Sequence, residues 1–212
     1  MTADLMAGWA RGWAVSRSAP TPVPRAGGWF IPTGVPREAA RYLLHDSADV
    51  PRVTGTKAEP HTWIKVSAAP DDVIPHLPAG WERRHSGHLM HRHLDASPLG
   101  SLPLGPPTDG YSARLDDNGT GAVKVVIRAA DGEVAAKAQA GIAAPIVVFD
   151  RVETFPAHQR RGLGRAAMTL LTAHVAPAAS AGILVATDEG RALYETLGWI
   201  TASPVTVIEY VP

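Results

Sequence analysis

The sequence contains no cysteine. That absence removes a disulfide framework, a zinc–cysteine site and a cysteine nucleophile at once. Charge of a single sign is missing too. Twenty Lys and Arg residues balance twenty Asp and Glu residues, so no overall field favours nucleic acid or an anionic membrane surface. No run approaches the ~20 apolar residues that a membrane-spanning helix needs. The first residues, Met1-Thr-Ala-Asp-Leu-Met-Ala-Gly-Trp9, carry an acid and lack the apolar core of a signal peptide. The default expectation is a cytoplasmic protein with no nucleic-acid or membrane partner. No sequence block repeats, and no Gly-x-x-x-x-Gly-Lys-Ser/Thr phosphate loop is present.

What is there is enough apolar material for a sizeable core: 212 residues, 45% of them hydrophobic. That length accommodates one or two domains. The chain is organised around Gln159-Arg160-Arg161-Gly162-Leu163-Gly164-Arg165. A strand is expected before it, over 145–154. A helix is expected after it, from about Gly162 to Val175, because Leu163, Ala166, Ala167, Leu170, Leu171 and His174 recur on one helical face. Pro177 ends that helix. The first turn of a helix has N–H groups without intrahelical partners and a partial positive charge. Glycines admit a ligand close to that backbone, and three arginines flank it. These features describe an anion cradle suited to a phosphate or pyrophosphate. Gly162, Gly164 and Ala167 also match the Gly-x-Gly-x-x-Gly/Ala spacing of a dinucleotide fold. The preceding strand ends too early for that reading, and too few residues follow to complete such a domain.

Gln159-x-x-Gly162-x-Gly164 resembles instead the acyl-CoA signature of the GNAT acetyltransferases, Gln/Arg-x-x-Gly-x-Gly/Ala. The segment from Leu184 to Trp199 resembles the next strand and helix of that family, which end in Tyr-x-x-Leu-Gly-Phe/Trp. The resemblance covers roughly Tyr111 to Pro212. It implies an α/β fold with a mixed, mostly antiparallel central sheet flanked by helices, the acyl-CoA N-acyltransferase fold. Residues 1–95 are expected to form an N-terminal α/β companion unit that shapes the acceptor pocket or is a degenerate lobe. Residues 96–110 read as a Pro/Gly-rich linker, and 111–212 as the acetyltransferase domain. Fainter similarity to uncharacterised bacterial members lies in Gly8-Trp-Ala-Arg-Gly-Trp-Ala-Val-Ser-Arg17 and Leu77-Pro-Ala-Gly-Trp81.

The resemblance also implies roles. Acetyl-CoA is the expected acyl donor, with no metal. The expected reaction is acetyl transfer to a primary amine by direct attack in a ternary complex. A longer acyl donor and a non-catalytic acyl-CoA-binding regulator are the alternatives. Backbone of Val152 and Thr154 would pair with pantetheine like an added strand. Backbone from Arg161 through Gly162, Leu163 and Gly164 to Arg165 would hold the pyrophosphate, Arg160, Arg161 or Arg165 would also meet a phosphate directly, and Gln159 completes the cofactor-binding set. Tyr194 holds the family's general-acid position, and its alternative is a core aromatic. Glu153 is a candidate base, with Asp150 and Glu189 as weaker ones and a water chain as the alternative to all three. Glu189 stands where many members carry asparagine. The acceptor is expected to be a small amine rather than a protein. Dimers are common in the family, so a homodimer stays open.

Elsewhere, 8–16 reads as a first strand, Trp29–Ile31 as a short strand and 35–44 as a helix with proline at its first position. Residues 61–66 alternate as a strand. Residues 70–77 read as a short helix and 86–94 as a strand. From Tyr111 onward the expected order is a short opening strand at 111–115, then 122–128 and 133–140 about an Asp131-Gly132 turn, 145–154, the cradle helix, 182–186, a helix capped near Thr187 or Asp188 and ended by Gly198, and 205–211. His85, His88, His91 and His93 read as ordinary surface or cavity histidines rather than a metal cluster. Trp9, Trp13, Trp29, Trp63 and Trp81 read as core or interface residues.

Overall fold

The computed structural model describes residues 1–25, 27–94 and 109–212. Its helices are α1 (Thr2–Arg17), α2 (Val50–Thr54), α3 (Leu163–Val175) and α4 (Asp188–Thr196). Its strands are β1 (Val23–Arg25), β2 (Gly28–Ile31), β3 (Ala40–Leu44), β4 (Thr62–Val66), β5 (Trp81–His93), β6 (Tyr111–Asp117), β7 (Ala122–Ala129), β8 (Val134–Ala143), β9 (Ile146–Thr154), β10 (Ala181–Ala186) and β11 (Ile200–Tyr210). All eleven belong to one sheet, in the order β1-β2-β3-β4-β11-β5-β10-β9-β8-β7-β6. Among the described residues only β3–β4 and β9–β10 pair in parallel. The α/β class and the mixed, mostly antiparallel sheet flanked by helices are therefore as expected.

The two segments on either side of residues 96–110 interleave within this sheet. β5, from the N-terminal segment, lies between β10 and β11 of the C-terminal one. Residues 96–108 of the expected linker lie outside the described residues. Strand order depends on pairing between residues about a hundred positions apart, which local pattern does not encode.

Side-chain alternation assigns each helix to a face. Val147, Phe149, Leu184 and Ala186 pack with Leu163, Ala167, Met168 and Leu171 of α3. Val148, Ile183, Leu89, Val205 and Val207 pack with Met6, Trp9 and Trp13 of α1. A third cluster sits under α2, from Val50, Val53, Ile64, Val66 and Ile208. β8 is covered on both sides, and its Ala135, Ala136, Ala138 and Ala140 are all buried. Small residues there let helices approach both faces.

Three local expectations are corrected. Residues 8–16 are not a strand but the heart of α1. Two tryptophans and two glycines within six residues read as extended chain. In the helix, Gly8 and Gly12 share one face, and that face meets the sheet closely: a Cβ on Gly12 would come 2.5 Å from Val148 Cγ2, and one on Gly141 would fall onto the Gly12 carbonyl. Close packing outweighs the poor helix propensity of glycine. Residues 35–44 are not a helix. Val35 and Glu38 bridge a turn with Arg37 at φ 67°, and 40–44 pair as β3 between β2 and β4. A short apolar run is ambiguous between the two forms. Residues 70–77 form two 3₁₀ turns, Pro70–Asp72 and Ile74–His76, rather than one helix.

Candidate functional site

β9 and β10 pair only through Ala181↔Ile146, Gly182↔Val147 and Ile183↔Val148. Beyond that point they part. On its other edge β9 carries one extra residue against β8, between the Glu153↔Lys137 and Asp150↔Gln139 pairs. Arg151, in that bulge, is left-handed at φ 50°. A bulge bends and twists its strand, which is why residues 149–154 leave β10. The Phe155 N–H donates to Ala135 of β8. By alternation, Glu153 faces β8 and the backbone of Val152 and Thr154 faces the open edge. Gln159 ties the following loop back by donating from Nε2 to the Thr154 carbonyl at 3.3 Å.

That loop delivers α3 with its N-terminus beside the opening. Gly162 is the N-cap at φ 75°, with no side-chain cap. The first helical bond runs from the Ala166 N–H to the Gly162 carbonyl, so the N–H groups of Leu163, Gly164 and Arg165 have no intrahelical acceptor. Among the described residues nothing would lie within 4 Å of a Cβ on Gly162, whereas one on Gly164 would meet Thr154 Oγ1 at 3.3 Å. The glycines thus leave bare backbone facing an approaching group. The arginines differ in their partners. Arg165 donates to Thr196 Oγ1 of α4 at 2.7 Å, and Arg161 to the Tyr111 hydroxyl at 2.7 Å. Arg160 is left-handed at φ 62°. The Tyr111 hydroxyl also meets Nδ1 of the buried His158 at 3.0 Å. This His158–Tyr111–Arg161 chain was not anticipated. Its members lie 47 and 50 positions apart, and no short motif marks such a group.

The gap between β9 and β10 opens into a cleft of about 220 Å³. On the α3 side it is lined by Phe149, Leu184, Thr187 and Tyr194, and on the α1 side by Trp9, Trp13, Arg17, Lys65 and His85. Asp150, Arg151 and Val152 form the wall between. Tyr194 is 7% exposed and packs edge-on to Trp199. Thr187 caps α4 by accepting from the Gly190 N–H. Burial, and after it the charge of Asp150, pushes the Tyr194 phenol up to about 12. It therefore stays protonated at neutral pH.

Asp150 is held by the N-terminal helix. Ser16 Oγ donates to its Oδ2 at 3.1 Å, Arg17 Nη2 donates to its Oδ1 at 3.0 Å, and Arg17 Nε also meets Oδ2. Gln139 of β8 fixes Ser16 from behind through its carbonyl, at 2.9 Å. Burial raises the Asp150 pKa, but Arg17 and Ser16 outweigh it and hold the carboxyl below its usual range. Beside it, burial and then the Arg41 charge lower the Lys65 ammonium to about 7. Lys65 Nζ lies 5.3 Å from the Trp9 ring centroid. Burial, then Lys65 and Arg41, lowers His85.

The expected residues thus divide. Val152 and Tyr194 line the cleft, and the loop to α3 stays by the end of β9, where Gln159 bonds Thr154 and Gly164 approaches it. Glu153 does not line the cleft: it pairs across the strand with Lys137, at 2.9 Å, half exposed. Glu189 is exposed in the first turn of α4. His88 bonds Asp188 at 2.7 Å, a carboxylate partner that the sequence did not suggest. Trp9, Trp13, Arg17, Lys65 and His85 converge from three separate elements, and only the general signal of aromatics near the N-terminus pointed to any of them.

No family model and no curated protein matches the sequence. Solved structures do. A GCN5-related N-acetyltransferase from Kribbella flavida aligns at TM-score 0.65 and 16% identity, over 99% of this chain and 95% of its own. A GCN5-related N-acetyltransferase-like protein from Streptococcus suis 89/1591 aligns at 0.54 and 14%, over 82% of this chain and 80% of its own. A tandem GNAT protein from the clavulanic acid biosynthesis pathway aligns at 0.50 and 13%, over 69% of this chain and 63% of its own. At these identities the likeness is one of fold.

Proposed function

We propose that this chain, which has the fold of the GCN5-related N-acetyltransferases, transfers the acetyl group of acetyl-CoA to a primary amine. One observation carries the reading. The splayed end of β9 and the uncapped, glycine-opened N-terminus of α3 border one gap, and a protonated phenol stands in the same cleft. The donor set suits acyl-CoA. Backbone N–H groups of residues 163–165 and the Arg160 guanidinium would take the pyrophosphate. The free edge of Val152 and Thr154 would take the amide-bearing pantetheine arm as an added strand.

The amine nitrogen attacks the thioester carbonyl, the C–S bond breaks, and the sulfur leaves with the electron pair. Tyr194 supplies the proton that converts the thiolate to a thiol, and solvent returns one to the phenolate. A phenol near 12 is a weak donor to a thiolate of ordinary pKa near ~8.5. Burial disfavours both anions in the same cavity, so it raises the two together and narrows that gap. No carboxylate lining the cleft is free among the described residues, because Asp150 is saturated by Arg17 and Ser16. Water in the cleft therefore takes the proton of the amine, rather than Glu153 on the far edge of β9.

Thermal unfolding with and without acetyl-CoA tests the reading. Ligand at ~100 times its dissociation constant stabilises a protein by about 2.7 kcal/mol. The expected result is a clear rise in Tm that disappears in the Gly162→Glu, Gly164→Glu double variant, with free-thiol release on adding an amine. A folded protein that no acyl-CoA stabilises would end the enzyme reading.

A further inference from the structure

The α1 side of the cleft is the face from which an acceptor would enter, and its charges are unbalanced. Arg17, Lys65 and Arg151 contribute three positive charges, and Asp150 one negative charge. Asp150 is already met by Arg17 and by the Ser16 hydroxyl. Arg41, close to Lys65, is paired with Glu38 through two bonds of 2.7 and 3.0 Å. Among the described residues, Lys65 alone of the buried or half-buried cations Arg17, Arg41 and Lys65 has no carboxylate within ion-pair distance; Arg151 is exposed. It stands over the Trp9 indole at the floor of the cleft. A half-buried ammonium without a counter-charge is costly, and a bound anion would relieve the cost.

Resting on the acetyl-transfer reading above, we propose that the acceptor is a small amino acid in the broad sense, an amine that also bears a carboxylate, and that Lys65 binds the carboxylate. The Trp9 and Trp13 rings enclose its apolar part. A singly charged group suits this floor better than a phosphate, which calls for several donors at once. Among the described residues Lys65 is the only unpaired cation of the cleft that is not exposed, Arg151 lying open to solvent, and His85 is held toward its neutral form by burial and by Lys65 itself. The cleft of about 220 Å³ suits a small acceptor.

The test uses the full chain and matched pairs: α- and ω-amino acids, each against its own carboxamide, which keeps the amine and removes the charge. Free-thiol release with acetyl-CoA reads turnover, and calorimetry on CoA-saturated protein reads binding. The acids should exceed their amides by about ten- to a hundredfold in kcat/KM, the range of a hydrogen bond to a charged partner. Lys65→Met should erase that preference through KM with kcat little changed, and Lys65→Arg should retain most of it, each variant checked for an intact thermal transition. Amides equal to acids in both turnover and binding would overturn the carboxylate subsite and leave acetyl transfer standing. Acids that bind in preference but release no thiol would support the subsite and overturn the transfer reading. An acid preference that survives in a folded Lys65→Met would overturn the role of Lys65.

Discussion

At the α3 end of the cleft, the groups that would meet the donor are backbone N–H groups of consecutive residues, 163–165, opened by Gly162 and Gly164. At the α1 end, the groups that would meet the acceptor are side chains from α1, β4 and β5: Trp9, Trp13 and Arg17, then Lys65, then His85. The first end is local in sequence and has a fixed spacing. The second is assembled across the sheet, and its parts carry no spacing at all. A chemistry that uses the same donor with many acceptors is served by such a division, because side chains at one end can change without disturbing the backbone cradle at the other.

The sharpest test of the division is Tyr194→Phe. It should lower kcat by roughly 10²–10⁴-fold, the range for a lost acid catalyst, with acetyl-CoA affinity measured by calorimetry unchanged. An equal fall in affinity would mean that the phenol binds the donor, and the separation of binding from chemistry would break. Next in size is Gly141→Val. Its added carbons would press on the Gly12 carbonyl, and overpacking against backbone should cost about 3 kcal/mol in urea denaturation. Because β5 and α1 belong to the same sheet layers as the cradle, the loss should appear as one transition seen by tryptophan fluorescence and by circular dichroism alike. Two separated transitions would show that the two segments fold as independent units.

Asp150→Asn comes third, with about 2 kcal/mol lost at neutral pH from the bonds to a charged partner. The sign follows from the depressed pKa. The carboxylate's contribution is complete above its unfolded value near ~3.9 and fades as pH falls through the lower folded value. The variant should therefore differ from the parent at pH 7 and converge with it in acid. For Lys65 the pKa is depressed too, so stability again rises with pH, but the charged form is a cost rather than a gain. Its ammonium titrates near 7 in the folded protein and near ~10.4 unfolded, so its cost is full below 7 and is relieved as pH rises between the two values. Burial sets that value first, and after it the charges of Arg41, Asp150, Glu38 and Arg17. Relative to Lys65→Met, the parent should gain Tm from pH 7 to 10. The smallest effect is expected for Glu153→Gln. An exposed pair of this kind contributes at most about 1 kcal/mol, and turnover should stay within about twofold. A large loss would return Glu153 to the site as its base.

The cradle was legible because its chemistry is backbone chemistry. Glycine spacing, the following amphipathic face and the Tyr194 motif each lie within one element, and strands 122–129, 134–143 and 146–154 alternate clearly enough to be read within a few residues. The N-terminal segment is less legible, for reasons that lie in particular residues. Gly8-Trp9 and Gly12-Trp13 look like a strand until a sheet surface is present for the glycine face to meet. Tyr42-Leu43-Leu44 looks helical until β2 and β4 flank it.

The sequence by itself determined the class of fold, the cradle loop, the helix that follows it and the phenol, since each depends on residues within a few positions of one another. The tertiary structure alone decided that β5 enters between β10 and β11, that α1 closes the far side of the cleft, and that Lys65 stands there without a counter-charge among the described residues. Those three depend on which distant surfaces bury each other, and burial is a property of the assembled sheet rather than of any stretch of chain.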